Sequence, residues 1–208
     1  DVFEEGDPRR DETLLYFSTP SKPWPAIAPA TGNAPFNEFL VSQDGLDGDY
    51  YNKKAYCSPK LREYYGSNGG FWYNIRMIRY SDVVLMAAEA ACEMGGEAMI
   101  EEALDYLEQV RARARGTNTN VLPKVTTTNQ LELCKAIHHE RHVELALEFD
   151  RFYDLVRWQE FSIAGAEDGA SAVLGNKGYT AKNKYLPLPQ EQVDASNGVL
   201  VQNPDYAN

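Results

Sequence analysis

Apolar residues recur at helical spacing only from Ser81 onward. In "SDVVLMAAEAACEM" the stripe Val84, Ala87, Ala88 and Ala91 predicts a helix opening at Ser81, whose small alanines let a partner approach closely. Gly95 and Gly96 end it. "EAMIEEALDYLEQVRARAR" then sets Ile100, Ala103, Leu104, Leu107, Val110 and Ala114 on one face, with acids in the first turn, arginines in the last and Gly116 beyond. Two helices joined by a glycine pair make an antiparallel hairpin. After a polar link at 116–128, a helix capped by Thr128 or Asn129 is expected to run to about Phe149, followed by another from Arg151 to about Phe161. Helix pairs of about 34 residues are the unit of tetratricopeptide-like stacks. The fold class is therefore mainly α: tetratricopeptide-like helix hairpins accompanied by a long, loop-rich and strand-poor segment.

That segment is residues 1–78, where neither helical nor strand periodicity persists. "STPSKPWPAIAPATGNAPF" carries five prolines, and "SQDGLDGDYYNKKAYCSPK" and "YYGSNGG" are dense in turn formers. A loop region of this length inside a compact domain is usually functional or disordered, and its many aromatics favour an ordered, ligand-facing role. Residues 79–163 form the helical scaffold. From 164 to 208 an extended tail is expected, because prolines alternate through Leu186–Pro189.

Charge narrows the partners. A net charge of -11 and a pI near 4.8 exclude a nucleic-acid groove, which needs clustered Lys and Arg. No apolar run approaches the ~20 residues of a membrane span. The start, "DVFEEGDPRR", reads as the interior of a longer chain. Cys57, Cys92 and Cys134 fit no close metal-ligand spacing.

Chemistry is concentrated in "KAIHHERHVELALEFDRFYDLVRW", which holds all three histidines. On a helical wheel His138 and His142 share a face with Leu131, Cys134, Leu145 and Phe149, while His139 points elsewhere. The H-E-x-x-H pattern of a zinc protease is absent, and that face offers no third ligand, so no metal is expected there. A second stripe holds Ile137, Arg141, Glu144 and Glu148. Carboxylates one turn apart repel unless a guanidinium lies between them, so Glu140, Arg141, Glu144, Glu148, Arg151, Asp154 and Arg157 are expected to form a structural charged network, with Arg141 near Glu144 and Glu148 near Arg151. The competing reading is a glycosidase carboxylate pair, but intervening arginines would keep both acids ionised and a general acid needs a raised pKa.

Elsewhere the chemistry is sparse. Asp44, Asp47 and Asp49 have the oxygen density of a calcium loop, although Gly45 and Gly48 sit at the wrong offsets for an EF-hand and a glycine-rich turn is the simpler reading. Apart from that calcium option, no cofactor is expected. There is no Walker A, no dinucleotide glycine motif and no nucleophile elbow. Aromatic rings remain. Flat rings on rigid loops stack on the apolar faces of sugars, which makes Trp24, held between Pro23 and Pro25, together with Tyr50, Tyr64 and Tyr65, the candidate ligand contacts. Phe71, Trp72 and Tyr73, just upstream of a helix, are expected to pack.

Six pieces in this order, "GDPRRDETLL", "GDYYNKKAY", "IRYSDVVLMAAEA", "ALDYLEQVRARAR", "IHHERHVELALEFDRFYDLVRW" and "NKYLPLPQEQVDASNGVLVQNPDY", resemble the C-terminal half of the SusD/RagB family. The resemblance implies a cell-surface lipoprotein of the outer membrane. It would bind oligosaccharide without catalysis and pass it to a SusC-like TonB-dependent transporter. RagB-like members would take peptide instead. A helical-repeat interaction scaffold and a glycoside hydrolase compete with both. The resemblance also implies that the lipidated cysteine and the N-terminal helical half lie outside these residues. The family's pattern over Ile137, Glu140, Arg141, Glu144, Leu145, Glu148, Arg151, Asp154, Leu155, Arg157 and Trp158 belongs to the scaffold.

Overall fold

Four long helices carry the computed structural model of the chain, which describes residues 2–15, 50–56, 63–64 and 76–206. The first elements are small. Helix α1 (Arg9–Thr13) leads into strand β1 (Leu14–Leu15), which pairs antiparallel with β2 (Tyr51–Asn52) in the register Leu14 to Asn52 and Leu15 to Tyr51. A 3-10 turn at Lys53–Ala55 follows, capped by the Asn52 side chain accepting the Ala55 N–H.

Helix α2 (Tyr80–Met94) and helix α3 (Glu97–Arg115) form the hairpin, and both glycines of its turn take positive φ, 67° at Gly95 and 85° at Gly96, a conformation that a Cβ would strain. Helix α4 (Gln130–Glu144) packs across the pair. Its N-cap is Asn129, whose side chain accepts the Glu132 N–H at 3.1 Å. Leu85, Ala88 and Cys92 of α2, Ala103 and Leu107 of α3, and Leu133, Cys134 and Ile137 of α4 close one core, all at 1% exposure or less.

The third long helix is shorter than its sequence pattern predicts. It stops at Glu144 rather than near Phe149, because the chain turns through Leu147 and Phe149 with φ of 64° and 76°. Phe149, placed by the helical wheel on an apolar face, is consequently 86% exposed. Helix α5 (Arg151–Phe161) then starts, and Trp158 and Leu155 build a second core with Ala170.

The region from 164 onward is not the uniformly extended tail that its prolines suggest. It holds α6 (Gly165–Asp168), α7 (Ala170–Leu174), 3-10 turns at Gly175–Lys177 and Ala181–Lys184, and α8 (Gln190–Ala195). Prolines dictate local backbone only around 186–189, where the Gln202 amide bridges Leu188, accepting its N–H at 2.7 Å and donating to its carbonyl at 2.8 Å.

Candidate functional site

The charged residues of α4 are buried on several sides at once. Glu140, with no exposed side-chain surface, accepts from Arg111 at 2.9 Å and pairs with Arg9. Arg9 also forks onto Asp7, and Arg111 onto Glu4. Glu144 lies among Arg79 at 2.9 Å, Arg113 at 2.8 Å and Arg9 at 3.2 Å. Glu148 takes Arg79 and Lys54, both at 2.6 Å. On the other side, Arg141 holds Asp82 at 2.9 Å and Asp154 at 3.1 Å, while Arg157 clamps Asp154 and Glu89. Glu89 accepts in addition from the Trp158 indole at 3.1 Å.

These partners differ from those that spacing along one helix indicates. Arg141 turns away from Glu144 toward α2 and α5, because a buried guanidinium gains more from two carboxylates on neighbouring elements than from an i,i+3 contact of tenths of a kcal/mol. Arg151 is a correction: among the described residues it lies over the Trp158 ring, 5.3 Å from the centroid, instead of pairing with Glu148. Arg9, Lys54, Arg79, Asp82, Glu89 and Arg111 do not stand out in the sequence. The signal that could have found Arg9, Arg79 and Asp82 is the mixture of acid and base in "GDPRRD" and "IRYSD", at the starts of helices; Lys54, Glu89 and Arg111 carry no such signal.

Electrostatics fix the protonation of Glu144 and Glu148. Burial alone would raise the pKa of Glu144, but the Arg79 hydrogen bond and the charges of Arg113 and Arg9 outweigh it and hold the carboxyl below its ordinary range. Glu148 behaves likewise against Arg79 and Lys54. Both acids line a cleft of about 220 Å³ with Arg9, Glu12, Thr13, Lys54, Arg76, Arg79 and Arg113. A glycosidase acid must hold a proton at neutral pH. Neither of these does, so neither can serve as that acid.

Of the candidate ligand contacts, Trp24 and Tyr65 lie outside the described residues, as do Cys57, the Asp44–Asp49 loop and the Phe71–Tyr73 run. Tyr50 is 40% exposed beside β2, with Arg10 5.9 Å from its ring centre, and Tyr64 is 80% exposed.

The histidines separate. His138 is buried, with Trp158 stacked on it, Asp168 on Nδ1, and Cys134 and Ser162 near Nε2. His142, pushed down to about 4 by burial and then by the Arg151 charge, is neutral at physiological pH. Ligand atoms of Glu93, Cys134 and His138 converge, and they alone among the described residues form a cluster able to hold a metal ion.

With the fold and this geometry in view, comparison with known proteins is specific. The family model of the SusD family matches residues 1–206, and the chain belongs to that family. It is 31% identical over 166 residues to SusD-like protein P2 of Formosa agariphila, covering 75% of this chain and 32% of the relative. SusD-like protein P38 of the same organism is 38% identical over 166 residues, covering 71% and 32%. Among solved structures, surface glycan-binding protein A from Bacteroides uniformis superposes with a TM-score of 0.68 at 27% identity over 97% of this chain and 39% of that one. A SusD homolog from Bacteroides thetaiotaomicron gives 0.57 at 22% identity, covering 96% of this chain and 41% of that one, and shares the fold. The chain thus spans about a third of the length of the two Formosa relatives.

Proposed function

We propose that this chain is part of a non-catalytic, cell-surface glycan-binding protein that delivers oligosaccharide to a SusC-like TonB-dependent transporter. The observation that carries the reading is membership of the SusD family together with the likeness to a surface glycan-binding protein over 97% of the chain. The charged layer supports it, since its acids are neutralised by arginines and serve the scaffold rather than acid–base chemistry. Ligand contact falls to aromatic rings on the loop-rich segment, with Trp24 as the stacking anchor and Tyr50, Tyr64 and Tyr65 around it. The protein would be held by a lipid anchor on the outer face of the outer membrane.

Isothermal titration against a panel of oligosaccharides tests the reading. A bound glycan whose affinity falls about 5- to 150-fold in Trp24→Ala is the expected result, in line with an aromatic anchor of about 1–3 kcal/mol. Unchanged affinity removes Trp24 from the site. A panel giving peptide hits and no glycan hit replaces the glycan with a peptide cargo. Polysaccharide cleavage lost in Glu144→Gln would replace binding with hydrolysis. Co-purification with a TonB-dependent transporter from native membranes tests delivery.

A further inference from the structure

The last turn of helix α2 meets the buried first turns of α4, and that junction brings together three side chains that the wheel of α4 alone cannot connect. Cys134 and His138 stand one turn apart on α4, and Glu93 reaches them from the last turn of α2. We propose that Glu93, Cys134 and His138 form a transition-metal site suited to Zn²⁺. The Cys134 Sγ lies 3.5 Å from His138 Nε2 and 3.4 Å from a Glu93 carboxylate oxygen, and the three ligand atoms all fall within 4.8 Å of one another. A tetrahedral zinc with Zn–S of about 2.3 Å and Zn–N or Zn–O of about 2.0–2.1 Å has sulfur-to-nitrogen and sulfur-to-oxygen edges of about 3.5 Å. The two measured edges therefore already match such a polyhedron.

The surroundings are those that a metal-bound imidazole requires. His138 Nδ1 is 3.0 Å from Asp168 Oδ2 on α6, so the carboxylate accepts the Nδ1 proton and leaves the Nε2 lone pair facing the thiol. Trp158 holds the ring flat, with centroids 3.7 Å apart and planes 13° from parallel. The Ile163 N–H donates to both Glu93 oxygens at 3.2 Å and so orients that carboxylate toward the cluster. Ser162 Oγ, 3.2 Å from Cys134 Sγ and 3.4 Å from His138 Nε2, supplies the fourth position directly or through a water. Cys134 and His138 are buried, whereas Glu93 is half-buried beside the exposed Ile163, which gives an ion an entry path. One thiolate and one carboxylate balance a divalent charge, and sulfur with imidazole selects late first-row metals over Ca²⁺ or Mg²⁺. Bound there, the metal ties α2 and α4 to the α5–α6 turn, a role independent of glycan binding.

The test uses the reduced, tag-free chain, stripped with chelator and titrated with Co²⁺. One equivalent is expected to produce a thiolate-to-cobalt charge-transfer band in the near ultraviolet and the intense visible bands of a tetrahedral site. Zn²⁺ should displace the cobalt and raise the melting temperature. Cys134→Ser should lose the charge-transfer band, while Cys92→Ser and Cys57→Ser keep it. Asp168→Asn should keep the band and weaken binding about 10–100-fold. Substoichiometric binding, a cobalt spectrum without the sulfur band, or a band that survives in Cys134→Ser overturns the proposal. So does a Cys92–Cys134 disulfide in the isolated chain, since it removes the thiolate.

Discussion

Trp158 and His138 lie face to face, their ring centroids 3.7 Å apart, and the same indole donates to Glu89 at 3.1 Å. One side chain thus joins the apolar core of α5 to the ionic layer on α2. Trp158→Ala should destabilise the chain by about 3–5 kcal/mol, since it empties a site only 1% exposed. Trp158→Phe keeps a ring against His138 but leaves Glu89 one donor short, and should cost about 1–3 kcal/mol. Urea unfolding followed by circular dichroism ranks the two. A phenylalanine variant as stable as wild type would show that the indole N–H contributes nothing.

Arg141 gives the second prediction. Its guanidinium faces Asp82 and Asp154 with a side chain only 5% exposed, so Arg141→Ala leaves two carboxylates short of a counter-ion. Breaking a buried pair in this way costs about 3–5 kcal/mol. Arg141→Lys should fall in between, because an ammonium restores the charge but cannot span both acids with one planar fork. Chemical denaturation of both variants beside exposed Lys177→Ala checks the order. An Arg141→Ala midpoint no lower than that of Lys177→Ala would contradict a structural role for the layer.

A third prediction concerns two glycines on the short helices after α5. A Cβ on Gly165 would stand 2.2 Å from the Trp158 carbonyl oxygen, a backbone atom that cannot swing aside. Gly165→Ala should force α6 away from α5 and cost about 3 kcal/mol or more. Gly175 has helical dihedrals, φ -56° and ψ -42°, and open space where a Cβ would go. Gly175→Ala should stabilise by about 0.4–1 kcal/mol, through a smaller unfolded ensemble. Thermal melts of the pair decide it, and shifts of the same sign would refute the steric argument.

What could be read in the chain itself is what is local. The α2–α3 hairpin was legible because Val84, Ala88, Ile100, Ala103 and Leu107 repeat at helical spacing and Gly95–Gly96 interrupt them. Periodicity is a local property, and so were the elements it revealed. Partner choice inside the ionic layer is not local. Arg79 meets Glu144 65 positions later and Arg9 meets Glu140 131 positions later, distances over which no sequence period operates. The Glu93–Cys134–His138 cluster was invisible for the same reason, as its third member sits on another helix. The early end of α4 reflects positive φ at Leu147 and Phe149, residues whose side chains carry no turn signal.

Stability should fall in acid in two steps whose sign follows from the buried groups. His142 titrates near 4 in the fold because burial, and next the Arg151 charge, oppose its protonation, against about 6.5 in the unfolded chain. Between those values the unfolded state binds a proton that the native state refuses, so stability is complete above pH 6.5 and declines as pH drops toward 4. For a half-buried ring this loss is on the order of 1–2 kcal/mol after solvent screening. Glu144 and Glu148 act below that window. Their native pKa values are depressed, so the stability they contribute is present above about 4.5 and disappears as pH falls through the lower native values. Midpoints of urea unfolding from pH 7.5 to 3 should therefore slope downward from about pH 6.5 and steepen below 4.5. His142→Gln should flatten the upper limb and leave the lower one unchanged. An upper limb retained in that variant would assign the first step to another group.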